Sequence, residues 1–158
     1  MRSESDWKIE KVGVVGAGIV GIPMAALLAQ ARILQGSDRP CGVVLIQRQS
    51  QTSGWKVQAI NSGRSPIGNV EPGLGAIVRE VVSEGLLRAS HDYDDLKGAQ
   101  AILVCVQTDK NGHSPDYGPL LEAVSNIAAT LSKNRPDQPP LIVIESTLAP
   151  TTMDAVIK

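Results

Sequence analysis

The chain has 158 residues, 42% of them hydrophobic, and a net charge of −1 at pH 7 with both signs interspersed. That is enough for one domain with a sizeable core, and it supplies no basic patch for nucleic acid or an acidic membrane surface. With no Phe, two Trp and two Tyr, the core is predicted to be Val, Ile, Leu and Ala, which suits parallel strands under alanine-rich helices.

Residues 1–10 read as a polar, disordered leader. The run Val12-Gly13-Val14-Val15 then reads as a buried parallel strand over about 11–15, and it opens into Gly16-Ala17-Gly18-Ile19-Val20-Gly21. After the glycines, Val20, Met24, Leu27, Leu28 and Ala31 recur at helical spacing and predict a helix over about 19–34. Strand, glycine turn and helix form the setting in which G-x-G-x-x-G signals a dinucleotide phosphate site. There Gly16 permits the tight turn, Gly18 lets the backbone approach a pyrophosphate, and Gly21 lets helix and strand pack closely. The backbone from Gly16 through Gly18, Ile19 and Val20 to Gly21 is thus the candidate pyrophosphate cradle, at the positive end of a helix dipole. A secretory signal is the competing reading of the uncharged run Val12 to Ala29. Glu4, Asp6 and Glu10 make its leader acidic where a positive segment is needed. Four glycines and Pro23 also make it a poor membrane span.

Further along, Val43-Val44-Leu45-Ile46 predicts a second strand and Trp55 to Ile60 a short helix. Leu74, Ile77, Val78, Val81 and Val82 predict another helix, stopped by Gly85. Leu86 to Ser90 is a short strand candidate, Asp94-Asp95-Leu96 begins one helical turn, and Ala101 to Gln107 is a strongly apolar fourth strand. Leu120, Leu121, Val124, Ile127, Ala128 and Leu131 predict a helix with Pro119 in its first turn, Leu141 to Ile144 a fifth strand, and Thr151 to Lys158 a last helical segment. Strands alternating with helices imply a parallel sheet covered on both faces. With the glycine turn after the first strand, the fold class is α/β, a Rossmann-like doubly wound sheet of order 3-2-1-4-5, and residues 11–158 form one dinucleotide-binding domain.

Other polar groups read as structural. Cys105 lies in an apolar run and reads as a small core residue, while Cys41 follows Pro40 in a loop. No His, Cys or carboxylate cluster has metal-ligand spacing, so no metal site is expected. His91 and His113 sit in polar surroundings, and Asp92, Asp94 and Asp95 read as helix-start chemistry. Nothing suggests a disulfide framework, which makes the cytoplasm the default compartment.

Three further segments carry a resemblance. Asn61-Ser62-Gly63-Arg64-Ser65-Pro66-Ile67 followed by Glu71-Pro72-Gly73-Leu74 resembles the N-x-G-x-x-P-I…E-P-G-L hallmark of the UDP-glucose/GDP-mannose dehydrogenase family. Val104-Cys105-Val106-Gln107-Thr108 resembles that family's strand ending in V-x-T, and Glu145-Ser146-Thr147-Leu148-Ala149-Pro150 its S-T-x-x-P segment. With the G-x-G-x-x-G-x-P opening at Gly16 to Pro23, four motifs stand in the family's order.

The resemblance implies a nucleotide-sugar dehydrogenase, an oxidoreductase that takes the terminal alcohol of a nucleotide-linked sugar to a carboxylate in two hydride transfers to NAD. It reaches only the family's N-terminal cofactor domain. The catalytic Cys, Lys and Asn of the family have no counterparts here, so the chain is expected to bind dinucleotide without oxidising sugar and to meet a nucleotide sugar only with the missing domains. Thr108 is the one catalytic counterpart, positioning the cofactor and an ordered water. The nicotinamide is expected near Val106, Thr108 and Thr147, and the adenosine ribose near Gln47 and Arg48. The sequence departs from the pattern at Gln47-Arg48-Gln49-Ser50, where an NAD-selecting strand usually ends in Asp or Glu. NAD is the expected cofactor, with NADP admitted because Arg48 and Ser50 suit a 2′-phosphate; Arg48 as a plain solvated side chain is the competing reading. Asp109 replaces the family's Pro, and Thr151 its Gly after Pro150. A non-catalytic dinucleotide-binding sensor or interaction module is the alternative function. The apolar edge at Leu141 to Ile144 favours self-association, hence a homo-oligomer.

Overall fold

In the computed structural model, which describes residues 8–34, 38–68, 72–111, 114–136 and 138–150, strand β1 (Lys11–Val15) lies at the centre of the sheet. It pairs in parallel with β2 (Gly42–Ile46) on one side and β4 (Ala101–Val104) on the other. The edges are β3 (Leu87–Ser90), beside β2, and β5 (Leu141–Ile144), beside β4. All pairings in this sheet are parallel, and the order is the expected 3-2-1-4-5.

Alternation along each strand divides the core into two layers. Val14, Val43, Leu45, Leu87 and Ala89 face helices α1 (Gly21–Gln30), α2 (Trp55–Asn61) and α3 (Leu74–Ser83). Val15, Val44, Ile46, Ile102 and Val104 face the short 3₁₀ turn Tyr93–Leu96 and helix α4 (Gly118–Asn134). The buried stripe of α1 is Ile22, Ala25, Ala26 and Ala29. This corrects the face expected from residue size: Val20 and Leu27 are 48% and 52% exposed, and Ala31 is exposed just past the helix. The helix lies so close to the sheet that its inner stripe is mostly alanine, and the bulkier side chains are left outside. The helix also starts two residues later and ends four earlier than its pattern suggests, at Gly21 and Gln30.

The fourth strand stops at Val104 rather than Gln107, because β1 turns away at Gly16 and the ladder partners end. Only Cys105 continues the pairing, donating its N–H to the Val15 carbonyl at 2.7 Å. A two-residue antiparallel pairing of Lys110–Asn111 with Ser114–Pro115 follows, too short for any sequence periodicity to signal. Asp92 caps the 3₁₀ turn by accepting from the Asp94 N–H at 2.8 Å, which is the expected helix-start role. Asp94 pairs with Lys133 at 2.7 Å and Asp95 with Arg88 at 2.6 Å; each hydrogen bond holds its carboxyl below the usual carboxylate range. Glu71, His113 and the expected helical segment Thr151 to Lys158 lie outside the described residues.

The hallmark asparagine has a structural role. The Asn61 side chain donates to the Ala89 carbonyl at 2.9 Å and accepts from the Ala89 N–H at 2.7 Å, so it pairs with the free edge of β3 as a further strand would. Asn61→Ala is expected to cost about 1–2 kcal/mol in urea unfolding, the net worth of two such bonds; an unchanged midpoint would contradict this role. At the other edge, Leu141 is 54% and Ile142 39% exposed on β5. Concentration-dependent growth in light scattering is the expected consequence, and a monodisperse chain at high concentration would contradict it.

Candidate dinucleotide site

The site is built where β1 ends and α1 begins, at the carboxyl edge of the sheet. Gly16 has φ +107°, and a Cβ there would stand 2.5 Å from the Cys105 carbonyl oxygen. At Gly21 a Cβ would run into the Gly16 carbonyl oxygen, with Cys105 on its other side. Both glycines are required by the fold itself. Gly18 differs: a Cβ there meets nothing within 4 Å, so its lack of a side chain leaves open space above the turn. Ile19 and Val20 are exposed, and among the described residues the N–H groups of Gly18, Ile19 and Val20 have no hydrogen-bond partner. Free amides, a helix N-terminus and an uncrowded glycine together suit a diphosphate.

Period-two alternation separates Gln47 from Arg48. Gln47 turns to the α1 face and is only 8% exposed. Its Oε1 accepts from the Ala17 N–H at 2.9 Å, and its Nε2 donates to Ser53 Oγ at 2.9 Å. Its backbone is fixed by the Ser90 carbonyl and by His91 Nδ1, 2.7 Å from its own carbonyl. Gln47 is therefore engaged inside the protein, and it fixes the second residue of the glycine turn. Arg48 turns to the α4 face and pairs with Glu122 at 3.1 Å. The structure thus does not bring these two side chains together.

Sequence reasoning missed Lys56. Its Nζ, carried by α2, donates to the Ala17 carbonyl at 2.8 Å, placing a cation beside the glycine turn from a position 39 residues away. No local pattern reports such a contact, although a lone cation in the first turn of a helix after the second strand was the available sign.

Beyond β4 and β5, two of the expected nicotinamide residues, Thr108 and Thr147, meet. Thr108 Oγ1 donates to the Thr147 carbonyl at 2.9 Å, which leaves its oxygen lone pairs as acceptors. The Ser146 hydroxyl donates to the Val106 carbonyl at 2.7 Å, and so ties the loop after β5 to the loop after β4. Burial, with Glu145 adding a smaller effect, pushes the Cys105 thiol up to about 11, and burial also raises that of Cys41. Cys105, so raised, carries almost no thiolate at pH 8, and Cys41 is only 1% exposed, so neither cysteine is expected to take up iodoacetamide within an hour in the folded protein. Rapid labelling followed by mass spectrometry would contradict this. Among the described residues no group of three or more His, Cys, Asp and Glu could hold a metal ion, and no helix is long and apolar enough to cross a membrane.

Comparison with known proteins gives a consistent picture. Residues 10–158 match the family described as "UDP-glucose/GDP-mannose dehydrogenase family, NAD binding domain". A UDP-N-acetyl-D-mannosamine dehydrogenase from Pyrococcus horikoshii is 31% identical over 148 residues, covering 94% of this chain and 31% of that protein. The crystal structure of an NDP-N-acetyl-D-galactosaminuronic acid dehydrogenase from Methanosarcina mazei superposes with a TM-score of 0.79 at 32% identity, over 95% of this chain and 30% of that one. A ternary complex of GDP-mannose dehydrogenase from Pseudomonas aeruginosa gives 0.77 at 25% identity, over 92% and 30%. The chain therefore spans about 30% of the length of the relatives it matches.

Proposed function

The chain belongs to the UDP-glucose/GDP-mannose dehydrogenase family, of which it is the NAD-binding domain, and we propose that it holds NAD with the pyrophosphate over Gly16, Gly18, Ile19, Val20 and Gly21. The adenosine end lies toward Arg48, and the nicotinamide end lies near Val106, Thr108 and Thr147. NADP enters the same site more weakly, with Arg48 as the cationic strand-end group for a 2′-phosphate, while Ser50 Oγ is engaged with Ser53 at 2.7 Å. Gln47 acts at one remove, by holding Ala17, and Lys56 adds positive charge near the diphosphate. When bound, the nicotinamide supplies the hydride acceptor. Thr108 offers an acceptor oxygen there, anchored by the Thr147 carbonyl.

The observation that carries this reading is the open space at Gly18 beside unpartnered amides, in a turn where the flanking glycines are fixed by packing. Within a whole enzyme of this class the substrate is a UDP- or GDP-linked sugar, oxidised at its terminal alcohol to a carboxylate in the cytoplasm. The family match over residues 10–158 supports this over a stand-alone sensor. Calorimetry with millimolar NAD is expected to give a saturable heat, and silence with both NAD and NADP would contradict it. The chain alone is expected to leave UDP-sugars unoxidised; turnover by the purified chain would overturn the need for further domains.

A further inference from the structure

Arg48 and Glu122 are carried by different elements, the segment after β2 and helix α4. Arg48 follows β2 by two residues, and Glu122 lies in the second turn of α4, which follows β4 in sequence. Because β1 runs between β2 and β4, their 3.1 Å ion pair bridges the carboxyl edge beside the strand that feeds the glycine turn. That edge, at the switch point of a doubly wound sheet, is where the adenosine half of a dinucleotide lies. Tyr93, half-buried on the same face, lies within the electrostatic field of both charges. Both members of the pair are about half exposed, so the pair adds little to stability and is free to exchange partners.

An arginine just past the second strand, with no carboxylate on the strand end, would ordinarily favour a 2′-phosphate. Here its guanidinium already has an anionic partner. We propose that Glu122 is a specificity-determining residue: by holding Arg48 it keeps the site selective for the dinucleotide with a free 2′-hydroxyl. The inference rests on the binding mode given under Proposed function. A 2′-phosphate has to displace the Glu122 carboxylate from Arg48 and then carry its own negative charge beside it. A 2′-hydroxyl needs neither step. The carboxyl that discriminates is thus supplied by α4 rather than by the end of β2.

The test is calorimetry of the full 158-residue chain with NAD and with NADP, for the parent, Glu122→Gln, Glu122→Ala, and Glu122→Gln combined with Arg48→Gln. Freeing Arg48 and removing the repulsion is expected to tighten NADP by about tenfold while NAD stays within about twofold, since a charge-assisted contact is gained only by the phosphate. The gain is expected in both single variants, to vanish when Arg48 is also replaced, and to shrink at 0.5 M salt. An unchanged NADP-to-NAD ratio in variants that melt like the parent and still bind NAD would overturn the role of Glu122 alone, as would a gain that survives loss of Arg48. Absence of binding by the parent to either dinucleotide would overturn the binding mode and this inference with it.

Discussion

Gly18→Val is expected to abolish dinucleotide binding while leaving the protein folded, and Gly21→Ala is expected to do the reverse damage first. At Gly18 the added side chain enters open space, and the turn there does not have the left-handed backbone that penalises a branched residue. The melting temperature should stay within about 3 °C of the parent, as for a surface change worth about 0.5 kcal/mol. The valine methyl groups, however, take up the volume in which a diphosphate would approach the amides of Gly18, Ile19 and Val20. Loss of that contact set is expected to raise the NAD Kd by at least about a hundredfold, the equivalent of about 2.7 kcal/mol. At Gly21 even one methyl group collides with the Gly16 carbonyl oxygen, which is backbone and cannot rotate away. Separating α1 from the turn would open the layer in which Ile22, Ala25, Ala26 and Ala29 are buried. We expect a loss of about 3 kcal/mol or more, a large part of a small domain's total stability. Urea titration and calorimetry on both variants separate the two roles. Retained NAD affinity in Gly18→Val, or a normal unfolding midpoint in Gly21→Ala, would contradict them.

The second large effect is at Gln47. Replacing it by methionine keeps length and bulk but leaves the Ala17 N–H without an acceptor in a buried position. An orphaned buried donor costs about 1–3 kcal/mol, and the bond to Ser53 is lost as well. Stability is expected to fall by about 2–3 kcal/mol for the two bonds together. The NAD Kd should rise by about tenfold, because the turn loses the clamp that orients it, and pre-organisation of that kind contributes directly to affinity. A variant that loses stability yet binds NAD like the parent would show that Gln47 supports only the fold.

The two glycines and Gln47 mark how far the sequence could be read. Strands β1, β2, β4 and β5 were legible because each is a short apolar run with turn residues on both sides, whereas β3, with Arg88 and Ser90 in its four residues, gave a weaker signal; the glycine spacing located β1, its turn and its helix. Together they determined the sheet order. Thr108 and Thr147 were matched through separate motifs, and the fold joins them through one hydrogen bond. Gln47 was placed at the ribose because strand-end residues usually sit there. Carrying the alternation of β2 one residue past Ile46 would have turned it to the glycine-turn side and Arg48 to the side of α4. The buried face of α1 was misread because ranking by size favours leucine and valine, whereas close approach to a strand favours alanine. Lys56 left only its place in the first turn of α2 as a sign, and Glu122 left none, because each acts across more than 35 residues of chain.

The most direct test follows backbone amides during an NAD titration by ¹⁵N-resolved nuclear magnetic resonance. The resonances of Gly18, Ile19 and Val20 are expected to move the most and to shift downfield, as amides do when they begin to donate to a phosphate. The Ala17 amide, already bonded to Gln47, should move less. Saturable binding that leaves those three amides in place and perturbs another part of the surface would contradict a diphosphate held on this turn.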